Sequence, residues 1–169
     1  MSISTNFMEE GLMKEVKLTN SDLVALVDDE DYEYTLGYKW HLSRSKNSKT
    51  YYAFTHVRDE KEKRLTLSLH RFIMCAAKGV EIDHKDLDGL NNQRSNLRVA
   101  TRPQQSYNRD KLSNNSVGYK GVSVNGNKFS ARIRANGVSK YLGVFNTALD
   151  AHEAYKAAAK ELHKEFARY

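Results

Sequence analysis

Residues 69–108 read LHRFIMCAAKGVEIDHKDLDGLNNQRSNLRVATRPQQSYN, and no other stretch restricts the fold as tightly. An apolar run (Leu69, Phe72, Ile73, Met74) predicts a short helix over residues 70–77 that ends at Gly79. Val80, Glu81 and Ile82 then make a brief strand that delivers Asp83 and His84 into a loop dense in turn formers (Asp86, Asp88, Gly89, Asn91, Asn92). Leu97 and Val99 anchor the far side of that loop. Thr101 is a good N-cap, and Pro103, the chain's one proline, falls in the first turn of the helix that follows. Helix, strand, polar loop and helix in this order belong to the α+β class.

The chemistry of the loop centres on Asp83 and His84. A carboxylate is a hard oxygen ligand suited to Mg²⁺ or Mn²⁺, and a neutral imidazole can take a proton from water. A phosphodiester is hydrolysed by that combination, because an ion neutralises charge at the phosphate while a base generates the nucleophile. A bare Asp-His pair is common, however, and a polar loop without activity accounts for the pair equally well. Gln105 and Asn108 lie three apart on the following helix and share a face.

Residues 1–13 read as a leader. Beyond it, Val16 and Leu18, then residues 23–27, read as short strands around a turn at Thr19, Asn20 and Ser21. Asp28, Asp29, Glu30 and Asp31 are expected to form a solvated turn. Alternation of Tyr32, Tyr34, Leu36, Tyr38, Trp40 and Leu42 predicts a β-ribbon with a polar tip at residues 44–49, returning along residues 50–54. His41 and His56 on these strands are read as surface residues rather than catalytic ones. A charged turn over residues 59–64 leads to a last strand over 65–69.

After an aperiodic linker, residues 119–124, 128–135 and 141–145 read as three strands joined at Asn125-Gly126-Asn127 and Asn136-Gly137. Alternation in the middle strand puts Phe129, Ala131 and Ile133 on one face and Lys128, Ser130, Arg132 and Arg134 on the other. Thr147 and Asp150 cap a helix whose apolar positions (Ala148, Ala151, Tyr155, Ala158, Ala159, Leu162, Phe166) fall at helical spacing. His152 and His163 on it are expected to be exposed.

Charge is unevenly spread over the 169 residues. Residues 1–60 hold 7 Lys and Arg against 11 Asp and Glu, whereas residues 111–169 hold 10 against 4, and the whole chain carries +6. A basic C-terminal part suits a polyanion, although a merely soluble basic surface fits as well. No apolar run approaches the roughly 18 residues of a membrane span. Cys75, the single cysteine, excludes an internal disulfide and paired-cysteine zinc sites, and is expected to be a buried core thiol. An intracellular location follows.

The in-register pattern LHR (69–71), DH (83–84) and GLNNQRSNLRVATR (89–102), with YKWH (38–41) upstream, resembles the HNH endonucleases of homing and phage type. That resemblance implies a ββα-metal core over residues 69–109, preceded by a β-rich part over 14–68. It implies His84 as general base, Asp83 as metal ligand, and Asn96 as the asparagine that fixes the loop and orients the histidine. The divalent ion would be Mg²⁺ or Mn²⁺, with Gln105 or Asn108 as a further ligand, and the substrate double-stranded DNA. Two positions depart from the pattern. Leu87-Asp88 stands where Gly-Asn is usual, and Gln105 where Asn or His is usual. These leave a second reading, a DNA-binding protein on an inactive nuclease fold.

Beyond a linker at residues 110–117, residues 118–169 resemble the DNA-binding domain of Apetala-two/ethylene-response-factor type. GYKGV (118–122), KFSARIR (128–134), YLGVF (141–145) and TALDAHEAYKAAAKEL (147–162) carry the likeness. It implies a three-stranded sheet packed on one amphipathic helix, with Lys120, Lys128, Arg132, Arg134 and Tyr141 contacting DNA. Ser123 and Ser139 stand where that family often has arginine. Nothing in the sequence decides between monomer and dimer.

Overall fold

A computed structural model describes residues 12–44, 50–110 and 115–169. The chain divides into two compact units, residues 1–98 and 99–169. The division falls inside the segment that the nuclease resemblance treats as one core.

In the first unit, β1 (Met13–Lys17) and β2 (Val24–Asp28) pair antiparallel. A short helix, α1 (Asp29–Thr35), comes next, where the alternation predicted a ribbon. Three acidic residues in its first turn favour a helix N-terminus, and Asp31 and Thr35 are buried one helical turn apart while Tyr34 and Leu36 stay exposed. The indole of Trp40 donates to the Thr35 carbonyl at 3.0 Å and closes the helix end. Only the end of the expected ribbon is extended: β3 (His41–Ser43), β4 (Tyr52–Arg58) and β5 (Arg64–Ser68) form an antiparallel sheet in the order β3-β4-β5. Most of the expected ribbon tip, residues 45–49, lies outside the described residues.

Helix α2 (Leu69–Ile73) is shorter than the periodicity predicts. It stops before Cys75, which sits in a left-handed turn (φ 46°) and is exposed rather than buried. Arg71 closes this turn by donating to the carbonyls of Ala76, Ala77 and Val80. Strand β6 (Glu81–His84) then pairs with β7 (Leu97–Ala100). The core of the unit joins Val16, Ala25 and Val27 to Trp40, Leu69, Ile73, Ile82 and Leu97.

The second unit opens with α3 (Arg102–Asn108), capped as the sequence predicts. Gln104 N–H donates to the Thr101 hydroxyl, and the Gln104 side chain returns to Thr101 N–H at 2.7 Å. Strands β8 (Val122–Asn125), β9 (Lys128–Ala135) and β10 (Val138–Phe145) form an antiparallel sheet with β9 central. Helix α4 (Ala148–His163) covers one face, burying Ala151, Tyr155 and Ala159 with Val122, Ala131 and Ile133. Gly121 has no alternative residue at this packing. A Cβ there would lie 2.1 Å from the Tyr155 ring, and its φ of 76° is left-handed. The chain leaves α4 through a left-handed Lys164 into a 3-10 turn (Lys164–Phe166), so Phe166 is buried from that turn and not from the helix.

Candidate active site and basic sheet

The Asp-rich loop of the first unit is a closed network. Asn96 donates from Nδ2 to Asp86 Oδ1 at 2.9 Å and to the Asn91 carbonyl at 2.8 Å, and its Oδ1 accepts from Asp86 N–H at 3.1 Å. Asp86 in turn accepts from Asp88 N–H and from the Asn91 side chain. Burial raises the Asp86 carboxyl, but these hydrogen bonds outweigh burial and hold it below the usual carboxylate range. Asn96 is therefore a tie across the loop, 8% exposed. It touches Asp86 and Asn91, and among the described hydrogen bonds it is Asn92 that reaches His84.

The loop is moored from outside by the acidic run at residues 28–31. Asp28 accepts from Arg94 N–H at 2.8 Å and from the Gln93 side chain, and Asp31 takes both Arg94 Nε and Nη2 at 2.8 and 2.7 Å. Asp31 is 5% exposed, so the run is a buried clamp at its far end and not a solvated turn. Asp28, Glu30 and Asp31 have carboxylate oxygens within 4.8 Å of one another. The Arg94 guanidinium pairs with Asp31 and Glu30, and Asp28 accepts from the Arg94 backbone N–H, which gives the cluster a structural role.

His84 stands on the last residue of β6, 6% exposed. Asn92 is fully buried, its Nδ2 committed to the Leu90 carbonyl at 2.9 Å, so its Oδ1 faces His84 Nε2 at 3.4 Å. An amide oxygen accepts only, so Nε2 carries the proton and Nδ1 the lone pair. Two further rings pack on His84: His70 edge-on at 5.1 Å and Tyr52 at 5.8 Å. Burial pushes the His84 pKa down. The Asn92 hydrogen bond and Asp86, Asp83 and Asp88 oppose the shift without cancelling it. His70 is pushed down to about 3 by burial, with His84 and Arg71 adding to the effect. Both imidazoles are neutral at neutral pH, the form a base requires. Gly89 lets the loop reach this cluster, since a Cβ there would lie 2.3 Å from the Tyr51 carbonyl and 2.5 Å from the Tyr52 ring.

Asp83, beside His84, accepts on one oxygen from Arg98 Nε at 2.9 Å and Nη2 at 2.7 Å, and both side chains are 10% exposed. Asp83 and His84 are the last two residues of β6, which runs two residues further than the strand the sequence predicts over residues 80–82. Asn92, His70, Tyr52 and Arg98 join the site only through the fold. In the sequence His70 is only the first residue of a predicted helix, and Asn92 is one of several asparagines in the loop. Gln105 and Asn108 both lie on α3 in the second unit, half-buried and buried.

On the sheet of the second unit, Lys128, Arg132, Arg134 and Tyr141 are exposed. Arg132 lies opposite Tyr141 across the strands, its guanidinium 5.5 Å from the ring centre. Ser130, expected among the cations, is buried and shares a hydrogen bond with Ser123 at 3.0 Å. Lys120 lies elsewhere: its Nζ donates to the carbonyls of Tyr107 and Arg109 at 2.6 Å each. Burial lowers it to about 8, with Arg168 adding and Asp110 opposing. His163, expected to be exposed, is buried and stacked on Tyr107. His152 is half-buried against Tyr119.

A buried neutral imidazole oriented by an amide has a lone pair that can take a proton, and the aspartate beside it offers carboxylate oxygen. Compared with known proteins, the chain is 31% identical over 150 residues to an uncharacterized HNH endonuclease of Acanthamoeba polyphaga mimivirus, covering 85% of this chain and 72% of that protein. The chain belongs to the HNH endonuclease family. No family model matches it. No solved structure matches it. Among the described residues, no helix is long and apolar enough to cross a membrane.

Proposed function

We propose that this protein is a divalent-metal-dependent endonuclease that hydrolyses phosphodiester bonds in double-stranded DNA, with a separate DNA-reading module at its C-terminus. The observation that carries the reading is the His84 imidazole, neutral, buried and held through Nε2 by Asn92. Its Nδ1 removes a proton from a water molecule, whose oxygen attacks phosphorus. The bond to the 3′ oxygen breaks, and that oxygen leaves with a proton from solvent. Asn92 fixes the tautomer, and His70 and Tyr52 hold the ring and exclude water from its flanks.

The donor set fits a hard divalent ion. Asp83 offers carboxylate oxygen, and the amide oxygens of Gln105 and Asn108 on α3 are the further candidates. Such an ion supplies charge neutralisation at the scissile phosphate and the leaving oxygen. The Arg98 guanidinium shares Asp83 and holds its carboxylate in place on β6.

Supercoiled plasmid incubated with the protein in Mg²⁺ is expected to be nicked or linearised, and EDTA to stop the reaction. His84→Ala is expected to abolish cutting while leaving folding and DNA affinity intact. Undiminished cutting by that variant removes His84 as the base. One observation favours a second reading, an inactive nuclease fold that binds DNA: the Asp83 carboxylate is already neutralised by Arg98. DNA retardation without any divalent-dependent nicking would decide for it.

A further inference from the structure

Helix α3 has seven residues, too few to be stable alone, since isolated helices below roughly 12–15 residues are marginal in water. Its order comes from what it packs against, and the described contacts lie in the C-terminal module. Tyr107 stacks on His163 with ring centroids 3.9 Å apart and planes 6° from parallel. Its hydroxyl accepts from Asn136 N–H, in the β9–β10 turn, at 2.7 Å. His163 Nε2 donates to the carbonyl of Arg134, on β9, at 2.9 Å. Ala100 and Tyr107 share an apolar cluster with Phe166. No basic residue lies in the last turn of α3, and the cation that favours a helix C-terminus is supplied by Lys120 on the carbonyls of Tyr107 and Arg109.

These contacts converge on the end of β9, the strand that also carries Arg132 and Arg134. We propose that Tyr107, His163 and Lys120 form a lock that makes α3 part of the C-terminal module, so that DNA held on β9 orders the helix bearing Gln105 and Asn108. All three are positioning residues: they act through the helix and do not touch substrate. What α3 contributes to cleavage, and DNA on β9, rest on the reading above, whereas the contacts of the lock lie within the second unit. The consequence is that the C-terminal module is more than a tether that concentrates the nuclease on DNA. It also orders the helix that bears Gln105 and Asn108.

Hydrogen–deuterium exchange on the full chain, with and without duplex DNA at low salt, tests the lock. In the natural protein, DNA is expected to raise the protection of amides 104–108. Tyr107→Ala combined with His163→Ala is expected to lower their protection at least tenfold and to abolish the DNA response, while β9 and β10 amides stay protected and report an intact module. Milder variants guard against misfolding. Tyr107→Phe keeps the stack and loses the bond to Asn136, and His163→Gln keeps the bond to Arg134 and loses the stack. Each is expected to give part of the loss.

Single-turnover nicking is expected to fall about a hundredfold in the double variant, the scale of a small misplacement of a reacting group. DNA affinity measured in EDTA should stay within twofold. Unchanged protection of α3 in the double variant, or protection that DNA does not raise in the natural protein, overturns the lock. A loosened α3 with undiminished nicking overturns its positioning role. A natural protein that nicks nothing removes the nuclease reading, and the exchange data then decide the lock by themselves.

Discussion

Asn92, tied down by its own bond to the Leu90 carbonyl, places the His84 proton on Nε2. Asn92 cannot rotate its amide without breaking its own bond to the Leu90 carbonyl, so the tautomer of His84 is set by backbone. Asn92→Leu, close to isosteric, removes the acceptor, and we expect a rate about 10–100-fold lower, the usual cost of losing a partner that orients a functional histidine. A plasmid-nicking rate equal to that of the natural protein would contradict it. The pH dependence follows from the shifts of both histidines. Their folded pKa values are depressed, so the folded state binds fewer protons than the unfolded state below 6.5. That stability is present above pH 6.5 and is lost as pH falls toward about 3. By pH 4.5 His70 alone should remove roughly 2–3 kcal/mol, readable in the urea midpoint, and His70→Gln should flatten that limb. Cleavage should hold its neutral-pH rate below 6.5, because His84 keeps its lone pair there.

At the scale of elements, the loop between β6 and β7 is held as a body by two charge clamps. Arg94 ties it to α1 through Asp28 and Asp31, and Arg98 ties β7 to β6 through Asp83. The two clamps differ in exposure, which sets their weight. Arg98 and Asp83 are both about nine-tenths buried, so Arg98→Ala strands a carboxylate and should cost about 3–5 kcal/mol. Arg94 is half-exposed while Asp31 is buried, and Arg94→Ala should cost about 1–3 kcal/mol after solvent screening. Thermal unfolding of the two variants checks the order, and an equal or reversed ranking would contradict it. These clamps also show why periodicity misread residues 32–42. The tyrosines alternate, but the acidic first turn and the Asp31–Arg94 pair, 63 residues apart in sequence, select a helix.

For the whole molecule, charge and fold divide the labour. Residues beyond 60 hold 20 Lys and Arg against 10 Asp and Glu, and the exposed face of the C-terminal sheet displays Lys128, Arg132 and Arg134 opposite the helix. Arg132→Ala with Arg134→Ala should weaken DNA binding and lower its salt slope by about two, one for each phosphate that an arginine no longer neutralises. An unchanged slope and unchanged site preference would reject this face. Lys120→Ala should leave that slope nearly intact, because its ammonium is spent on α3 carbonyls.

Much of this was legible in order along the chain: the cap of α3 at Thr101, the turns at Gly126 and Gly137, the strand that delivers Asp83 and His84, and the cationic alternation of β9. Those features depend on neighbours within a few residues, where backbone sterics and side-chain period act. What only the tertiary structure decided is which distant groups meet. Among the described hydrogen bonds Asn92 reaches His84, Arg98 sits on Asp83, Arg94 pairs with the buried Asp31, and His163 is stacked under Tyr107. A polar residue's partner is chosen by the fold that desolvates it, and no local pattern encodes that choice.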